Sequence, residues 1–207
     1  LVFQVINHQM IVLFYLSMMV LVISNLYLKD FMATVNLLPD STASNNWTVS
    51  SGGTAHENLA DTTDSTNIET NVNGRVCIML LDNFTEDFDS IDSVRYYVSS
   101  FLYRSRTGDS DLQIKIENVS GTALYTETEN IVPNGGAFAD YYGTARAEYS
   151  TGVPWTNIHL NGMRIQLNTN LEDPPAISYV RITKAHVEVT YTPAVSADNA
   201  TFFGANF

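Results

Sequence analysis

The chain has 207 residues, of which 45% are apolar and 15% charged, and its formal net charge is −12. This length accommodates one domain with a substantial core rather than two domains. Because phosphate binding requires clustered Lys and Arg, the acidic balance argues against nucleic acid as a partner and disfavours anionic membrane surfaces. The negative net charge is compatible with bound cations.

The first 31 residues differ in composition from the rest of the chain. Residues 10–23 are apolar except for Ser17, and the run continues weakly to Leu28, which approaches the length that spans a bilayer. A signal or anchor would require positive residues before the apolar run, but no Lys or Arg precedes it. In addition, Met32 opens an ordinary start sequence, MATV. Two interpretations stay open: a signal or anchor helix with residues 10–28 in the membrane, or translated upstream sequence before a true start at Met32.

Residues 94–118, VRYYVSSFLYRSRTGDSDLQIKIEN, show the clearest strand pattern. Leu112, Ile114 and Ile116 alternate with polar residues, and an alternation of period two is typical of a half-buried strand. The preceding run is rich in Tyr, Val and Phe, which favour strands. The polar segment 104–110 between them contains Gly108 and Asp109 and suits a tight turn. We therefore predict a long antiparallel hairpin at the centre of a β-sandwich.

Further strand-like segments follow one another at intervals of about ten residues, which is typical of sandwiches and jelly rolls. They lie at residues 47–49, 68–71, 75–81, 123–129, 158–168 and 177–191. The sequence predicts an all-β, antiparallel β-sandwich of jelly-roll type with about eight to ten strands, formed by residues 32–193 and followed by a tail at 194–207.

The last strand contains a break in its alternation. Val180 and Ile182 set one phase of apolar residues, and Ala185 and Val187 set the other. Because a shift of one residue turns a strand's apolar side chains to the opposite face, we predict a bulge near Thr183 or a switch of the strand to the other sheet.

No catalytic motif is present. The chain has no GxSxG, HExxH or Walker-type loop, and no residue pattern indicates an enzyme or a bound organic cofactor. The four histidines are not spaced as metal ligands; they are His8, His56, His159 and His186. Cys77 is the only cysteine, so no intrachain disulfide can form, and its apolar surroundings predict a buried, inert thiol.

One acidic loop is a candidate calcium site. Asp87, Asp89 and Asp92 lie within six residues, and calcium prefers carboxylate oxygens. The glycine and terminal glutamate of an EF-hand are missing, so a solvated loop is the competing interpretation. Calcium is the metal that we expect if the protein binds one.

The aromatic residues are the remaining functional candidates, because flat rings flanked by Asn and Asp suit carbohydrate. Most of them are expected to lie in the core or in cross-strand pairs. Tyr141 and Tyr142, in a Gly-rich stretch, are our first choice for ligand binding, together with Trp155. The other candidates are Trp47, Tyr96, Tyr97, Tyr103, Tyr125 and Tyr149.

The C-terminal tail carries Phe202, Phe203 and Phe207. Exposed aromatic residues on a terminal tail suggest docking to a neighbouring subunit, which would make the protein a homo-oligomer. The alternative is that the three rings fold back onto the sandwich.

Three stretches resemble a pattern of tailed-phage virion proteins. They are WTVSSGGTAHENLADTTDSTNIET, the segment 94–118 quoted above, and ISYVRITKAHVEVTYTP. In those proteins a W-T loop, a DxxDxT loop and a final V-x-V-T-Y strand frame a jelly-roll domain. The resemblance covers residues 36–192 and implies an architectural or surface-attachment role without catalytic residues.

On this basis we predict a non-enzymatic structural or surface-attachment protein. The resemblance implies a phage virion component (head decoration, fibre or appendage) that assembles with other virion subunits. The alternatives are a carbohydrate-binding module that contacts cell-surface glycans, or a membrane-anchored surface adhesin, which requires residues 10–28 to be a real anchor. The predicted location is the virion, and the alternative locations are the cell surface and the extracellular space.

Overall fold

The computed structural model of the protein describes residues 15, 17, 32–50, 52–60, 64–103, 110–131, 137–171 and 179–194. Within these ranges the chain forms thirteen strands and two short helices. The strands are β1 (Ala33–Leu37), β2 (Pro39–Asn45), β3 (Thr48–Val49), β4 (Ile68–Thr70), β5 (Val76–Leu81), β6 (Phe88–Tyr103), β7 (Ser110–Glu117), β8 (Ala123–Ile131), β9 (Ala139–Tyr142), β10 (Glu148–Ser150), β11 (Val153–Pro154), β12 (Arg164–Leu171) and β13 (Tyr179–Pro193). The helices are α1 (Ala55–Ala60) and α2 (Asn157–Leu160).

Two antiparallel sheets form a β-sandwich. The six-stranded sheet has the order β3-β4-β13-β6-β9, with β1 also paired to β13, and the five-stranded sheet has the order β2-β5-β12-β7-β8. Eight of these strands alternate in the manner of a jelly roll, with β4, β13, β6 and β9 in one sheet facing β5, β12, β7 and β8 in the other. The predicted all-β jelly-roll sandwich is therefore confirmed.

The predicted central hairpin at residues 94–118 is wrong. Strand β6 pairs with β13 and β9 in the six-stranded sheet, whereas β7 pairs with β12 and β8 in the other. The chain thus crosses from one sheet to the other after Tyr103. The predicted turn at 104–110 lies outside the described residues except for Ser110, which begins β7. Alternation fixes which side of a strand faces the core, but it does not choose the partner strand.

The strands before and after the turn at Asn73 and Gly74 also belong to different sheets. Gly74 has φ +72°, a conformation that glycine adopts without steric cost, and the turn carries the chain from β4 to β5. A β-hairpin within one sheet is instead formed by β7 and β8, which pair along their length from Ser110↔Ile131 onward.

The core consists of the inward residues of both sheets, as the alternation predicts. Leu112, Ile114 and Ile116 of β7 are fully buried, as are Ile165 and Leu167 of β12. The inward residues of β6 and β13 face these side chains from the six-stranded sheet. The inward residues include Val94, Tyr96, Val98, Val187 and Val189.

Strand β13 carries the predicted bulge. Its pairing with β6 shifts between Ile182 and Lys184, so that Thr183 is the extra residue. The strand stays in the six-stranded sheet on both sides of the shift, and the predicted alternative of a switch to the other sheet is wrong. The bulge lets Val180 and Ala185 both face the core although they are out of phase.

The segment predicted as a strand at 158–168 is a strand only in its second half. Residues Asn157–Leu160 form helix α2, and β12 begins at Arg164 after a turn in which Gly162 has φ +74°. Helix α2 buries Leu160, which therefore reaches the core from a helical turn and not from the strand.

Among the described residues, no helix is long and apolar enough to cross a membrane. The predicted signal or anchor at residues 1–31 lies outside the described residues except for Tyr15 and Ser17.

Candidate functional site: an aromatic sheet face

The outer face of the six-stranded sheet carries most of the exposed aromatic side chains in the described part of the chain. Along β6, Val98 and Leu102 point into the core. Because side chains alternate across a strand, Tyr97, Phe101 and Tyr103 point to the opposite side. Tyr97 and Phe101 are nevertheless almost buried, since rings from β9 and β13 pack against them.

The first aromatic patch is formed by Tyr97, Tyr142 and His186, which lie side by side on β6, β9 and β13. The ring of Tyr97 stacks on His186 with centroids 4.6 Å apart and lies 5.1 Å from the tilted ring of Tyr142. The guanidinium of Arg95 lies 4.6 Å from the centroid of Tyr142. Tyr142 is 48% exposed and is therefore accessible to a ligand.

The second aromatic patch is formed by Phe101, Tyr103, Tyr179 and Phe138. Tyr103 stacks on Tyr179 with centroids 5.0 Å apart, and Phe101 contacts the other three rings edge-on at 5.8 to 6.5 Å. Tyr103 is 42% exposed. Beside it, the guanidinium of Arg181 lies 5.1 Å from the ring of Tyr179.

A polar row separates the two patches. Ser99 of β6 lies between Lys184 of β13 and Asp140 of β9. The hydroxyl of Tyr97 donates a hydrogen bond of 2.8 Å to Asp140, which joins the row to the first patch. The aromatic face, as we call the two patches and this row together, thus presents apolar rings next to hydrogen-bonding groups.

Three ion pairs lie on the same face. Arg95 Nε donates to Glu188 Oε2 at 2.6 Å. Arg181 donates to Glu69 Oε2 through two nitrogens, at 2.7 and 3.1 Å. Lys184 Nζ lies 3.0 Å from Asp64 Oδ1. The positive charges of Arg95, Arg181 and Lys184 are therefore each compensated by a carboxylate.

Burial shifts the pKa of two titratable groups of the first patch in the direction that favours their neutral forms. It raises the pKa of Tyr97 to about 12, and the hydrogen bond to Asp140 acts in the same direction. Burial lowers the pKa of His186, although the nearby Glu188 opposes this effect.

The structure separates the predicted pair of Tyr141 and Tyr142. Neighbouring residues of a strand point to opposite sides of the sheet, so Tyr142 joins the aromatic face while Tyr141 packs against the core. Only one member of the pair lies on the candidate binding surface.

Trp155, the third predicted ligand contact, lies in the core and not on the aromatic face. Trp155 is 3% exposed and belongs to the core. Its indole N–H donates to the carbonyl of Arg146 at 2.9 Å, and its ring packs edge-on against Tyr149 at 5.4 Å. Tryptophan has a large apolar surface and one hydrogen-bond donor. Here the core buries the apolar surface, and the carbonyl of Arg146 accepts the hydrogen bond.

The predicted calcium ligands are not brought together. Asp92 accepts hydrogen bonds from Ser90 and Thr192, and the backbone carbonyl of Asp87 accepts from Ala194. Asp89 belongs to β6. In the ranges that the structure describes, no group of three or more His, Cys, Asp or Glu side chains could hold a metal ion. Phe202, Phe203 and Phe207 lie outside the described residues.

Sequence reasoning overlooked Phe101, Tyr179 and His186 and did not single out Tyr97 or Tyr103 among the tyrosines. A signal was present, since YYVSSFLY places Tyr97, Phe101 and Tyr103 on one side of a strand. The contributions of β9 and β13 have no local signal, because they depend on strand pairing.

A separate groove of about 390 Å³ lies at residues 35–37 and 82–86. Its single ring, Phe84, is buried against Phe88 and Tyr191. It offers no accessible aromatic surface, and the aromatic face is therefore the stronger candidate.

Three solved structures similar to this chain were compared with it. An arabinose-bound α-L-arabinofuranosidase gives a TM-score of 0.41 at 9% identity over 74% of this chain, which spans only 26% of that enzyme. The xylan-binding module CBM15 gives 0.39 at 11% identity over 80% of this chain and 100% of the module. A structure of infectious bursal disease virus, Gt strain, gives 0.37 at 12% identity over 79% of this chain and 32% of the viral one.

No protein-family model matches the sequence, and no curated protein matches it significantly. Identities of 9 to 12% and TM-scores of 0.37 to 0.41 are too low for a function to be carried from these proteins to this chain.

Proposed function

We propose that the protein is a non-catalytic carbohydrate-binding module whose ligand lies on the aromatic face. The observation that carries this proposal is the alignment of two aromatic patches, each with one accessible tyrosine, along the outer side of β6. The flat face of a ring contacts the apolar C–H face of a sugar, while nearby charged and amide groups bind its hydroxyls.

A binding role is favoured over a hydrolytic one by the state of the carboxylates. Glycoside hydrolysis needs one carboxylic acid that is free to protonate the leaving oxygen and a second carboxylate across the bond. Glu69 and Glu188 instead accept hydrogen bonds from Arg181 and Arg95 at 2.6 to 3.1 Å.

Exposed aromatic surfaces also mark protein interfaces, so a role in assembly is the second candidate. It corresponds to the virion component that the sequence resemblance implies and to the homo-oligomer that the aromatic tail predicts. That role stays a prediction, and it differs from the proposal in what the aromatic face contacts.

The proposal is tested with the variants Tyr142→Ala and Tyr103→Ala. Each removes an accessible ring, and we expect glycan binding to weaken about tenfold or more. Binding is measured first on a glycan array and then by affinity electrophoresis on the polysaccharide that the wild type binds best. Tyr149→Ala is the matched control, because Tyr149 stacks on His159 away from the aromatic face and its loss should leave binding unchanged.

Unchanged binding of both variants, or absence of any glycan binding by the wild-type protein, would contradict the proposal. If the aromatic face is a subunit interface, the same two substitutions will instead change the oligomeric mass measured by sedimentation. All variants are first compared with the wild type by thermal unfolding, so that a loss of binding is not confused with a loss of structure.

A further inference from the structure

We infer that the ligand of the aromatic face is an uncharged glycan and that several consecutive units of its chain are bound. This inference rests on the proposed function and specifies the class of ligand that the site accepts. Two independent features carry it, namely the pairing of the cations and the spacing of the two patches.

The two arginines of the face, Arg95 and Arg181, each form an ion pair with a carboxylate of the protein. The guanidinium of Arg95 lies over Tyr142 and its Nε donates to Glu188. Arg181 is held in the same way between Tyr179 and Glu69. A uronate, sulfate or sialate group would approach an arginine whose charge is already compensated by a carboxylate 2.6 to 2.7 Å away. That carboxylate and the chain's net charge of −12 would both repel the anionic group.

Uncharged hydroxyls have no such competition. A guanidinium carries five N–H donors, and a carboxylate accepts about four hydrogen bonds. Arg95 uses one donor toward Glu188, and Arg181 uses two toward Glu69. Neighbouring sugar hydroxyls can therefore donate to the carboxylate and accept from the guanidinium without breaking the pair, and each pair lies against an aromatic ring.

The spacing of the patches favours an extended ligand. Tyr97 and Phe101 are four residues apart on β6, which corresponds to about 13 Å at the usual rise of a strand, and the strip from Tyr97 to Tyr103 measures about 20 Å. Lys184 and Asp140 place polar groups in the interval, on either side of the buried Ser99. A strip of this length contacts several consecutive sugar units, with rings at both patches and hydroxyl-binding groups between them.

The first experiment compares uncharged polysaccharides (glucans, xylans and mannans) with polyuronates and sulfated glycans. We expect binding that depends on Tyr103 and Tyr142 to be confined to the uncharged set. This binding should change less than twofold between about 0.05 and about 0.5 M NaCl, because salt screens only charge–charge attraction. With oligosaccharides of one to six units, affinity should rise with length.

The second experiment releases the arginines. Glu188→Gln and Glu69→Gln remove the counter-charges of Arg95 and Arg181, and we expect each variant to gain salt-sensitive binding to polyuronate that the wild type lacks. Glu148→Gln is the matched control, since Glu148 accepts a hydrogen bond from Gly152 away from this face. Thermal unfolding checks that each variant is folded. A gain of polyuronate binding by either of the two variants is sufficient to support the inference.

The outcomes separate this inference from the proposed function. Tyr-dependent binding of polyuronates or sulfated glycans by the wild type would overturn the ligand class while the carbohydrate-binding function stands. A monosaccharide bound as tightly as the longest oligosaccharide would overturn the inference that several consecutive units are bound. If no glycan of either set binds in a Tyr-dependent way, the proposed function and the inference both fail.

Discussion

Two buried threonines of the sandwich have opposite hydrogen-bonding environments. Thr169 on β12 is 1% exposed, and its hydroxyl donates to the carbonyl of Val72 at 3.1 Å. Thr183 at the bulge of β13 is 0% exposed, and its hydroxyl has no hydrogen-bond partner among the described residues. A buried hydroxyl without a partner costs about 1–3 kcal/mol, whereas a paired one contributes about 1 kcal/mol to stability.

We therefore predict opposite effects for Thr183→Val and Thr169→Val. Valine keeps the shape of threonine and removes the hydroxyl. Thr183→Val should raise the free energy of unfolding by about 1 kcal/mol, and Thr169→Val should lower it by about 1–2 kcal/mol. Urea denaturation of the two variants and the wild type measures both values. Equal destabilisation by the two substitutions would show that the hydroxyl of Thr183 is also paired.

At the scale of single elements, the bulge in β13 connects the core to the aromatic face. Before it, Val180 and Ile182 point inward; after it, Ala185 and Val187 do so. The extra residue therefore places Lys184 and His186 outward, where they pair with Ser99 and Tyr97. Without the bulge, one half of β13 would present its apolar residues to solvent.

His186 should give the stability of this sheet a specific pH dependence. Tyr97 stacks on its ring, Glu188 lies 3.9 Å from its Nε2, and Lys184 precedes it on the same face. Burial lowers its pKa below the ordinary 6.5, so the unfolded chain takes up the proton first as the pH falls. The free energy of unfolding should therefore decrease below about pH 6.5 until the folded protein is protonated as well.

His186→Gln removes this contribution, and its unfolding free energy should depend less steeply on pH than that of the wild type between about pH 7.5 and about pH 5.5. Chemical denaturation at several pH values across this window provides the comparison. Parallel curves for the two proteins would mean that His186 does not contribute to the pH dependence.

The edge strand β8 shows how the sheet avoids pairing with other chains. Tyr125 and Ile131 point into the core, and Glu127 and Glu129 share their side of the strand. Glu127 accepts hydrogen bonds from the backbone of Thr144 and from Arg146, both at 2.9 Å, and Glu129 accepts from the hydroxyl of Tyr96. Inward-pointing charges at an edge disfavour the addition of another strand.

In the whole molecule, strands from both ends of the described domain meet in one sheet. Strand β1 pairs with β13 from Ala33↔Tyr191 to Leu37↔Val187. Such distant pairing can form only after most of the intervening chain is placed, because closing a long loop costs entropy before the contacts repay it. We expect these contacts to form late in folding.

Leu37→Ala tests this order. Leu37 is buried in the core, and its truncation should lower the free energy of unfolding by about 2–5 kcal/mol. If β1 docks late, most of this loss will appear as faster unfolding and little as slower folding. Stopped-flow kinetics distinguishes the two. Ile158→Ala, at an exposed position of α2, is the control and should change stability by less than about 0.5 kcal/mol. A loss confined to the folding rate would place β1 in the folding nucleus.

The sequence by itself determined the fold class and the buried faces of the longer strands. Alternation placed Leu112, Ile114 and Ile116 in the core and located the bulge at Thr183, because side-chain direction in a strand is a local property with a period of two. It also identified Tyr142 as a candidate contact, although its neighbour Tyr141 and the buried Trp155 were chosen with it.

Only the tertiary structure decided which strands pair, and with them the candidate site. Local periodicity does not encode the partner of a strand, so β6 and β7 appeared to be a hairpin although they belong to opposite sheets. The aromatic face joins Tyr97, Tyr142, Tyr179 and His186 from three strands far apart in the chain. The physical reason is that long-range pairing, chosen by the packing of the whole core, brings these side chains together.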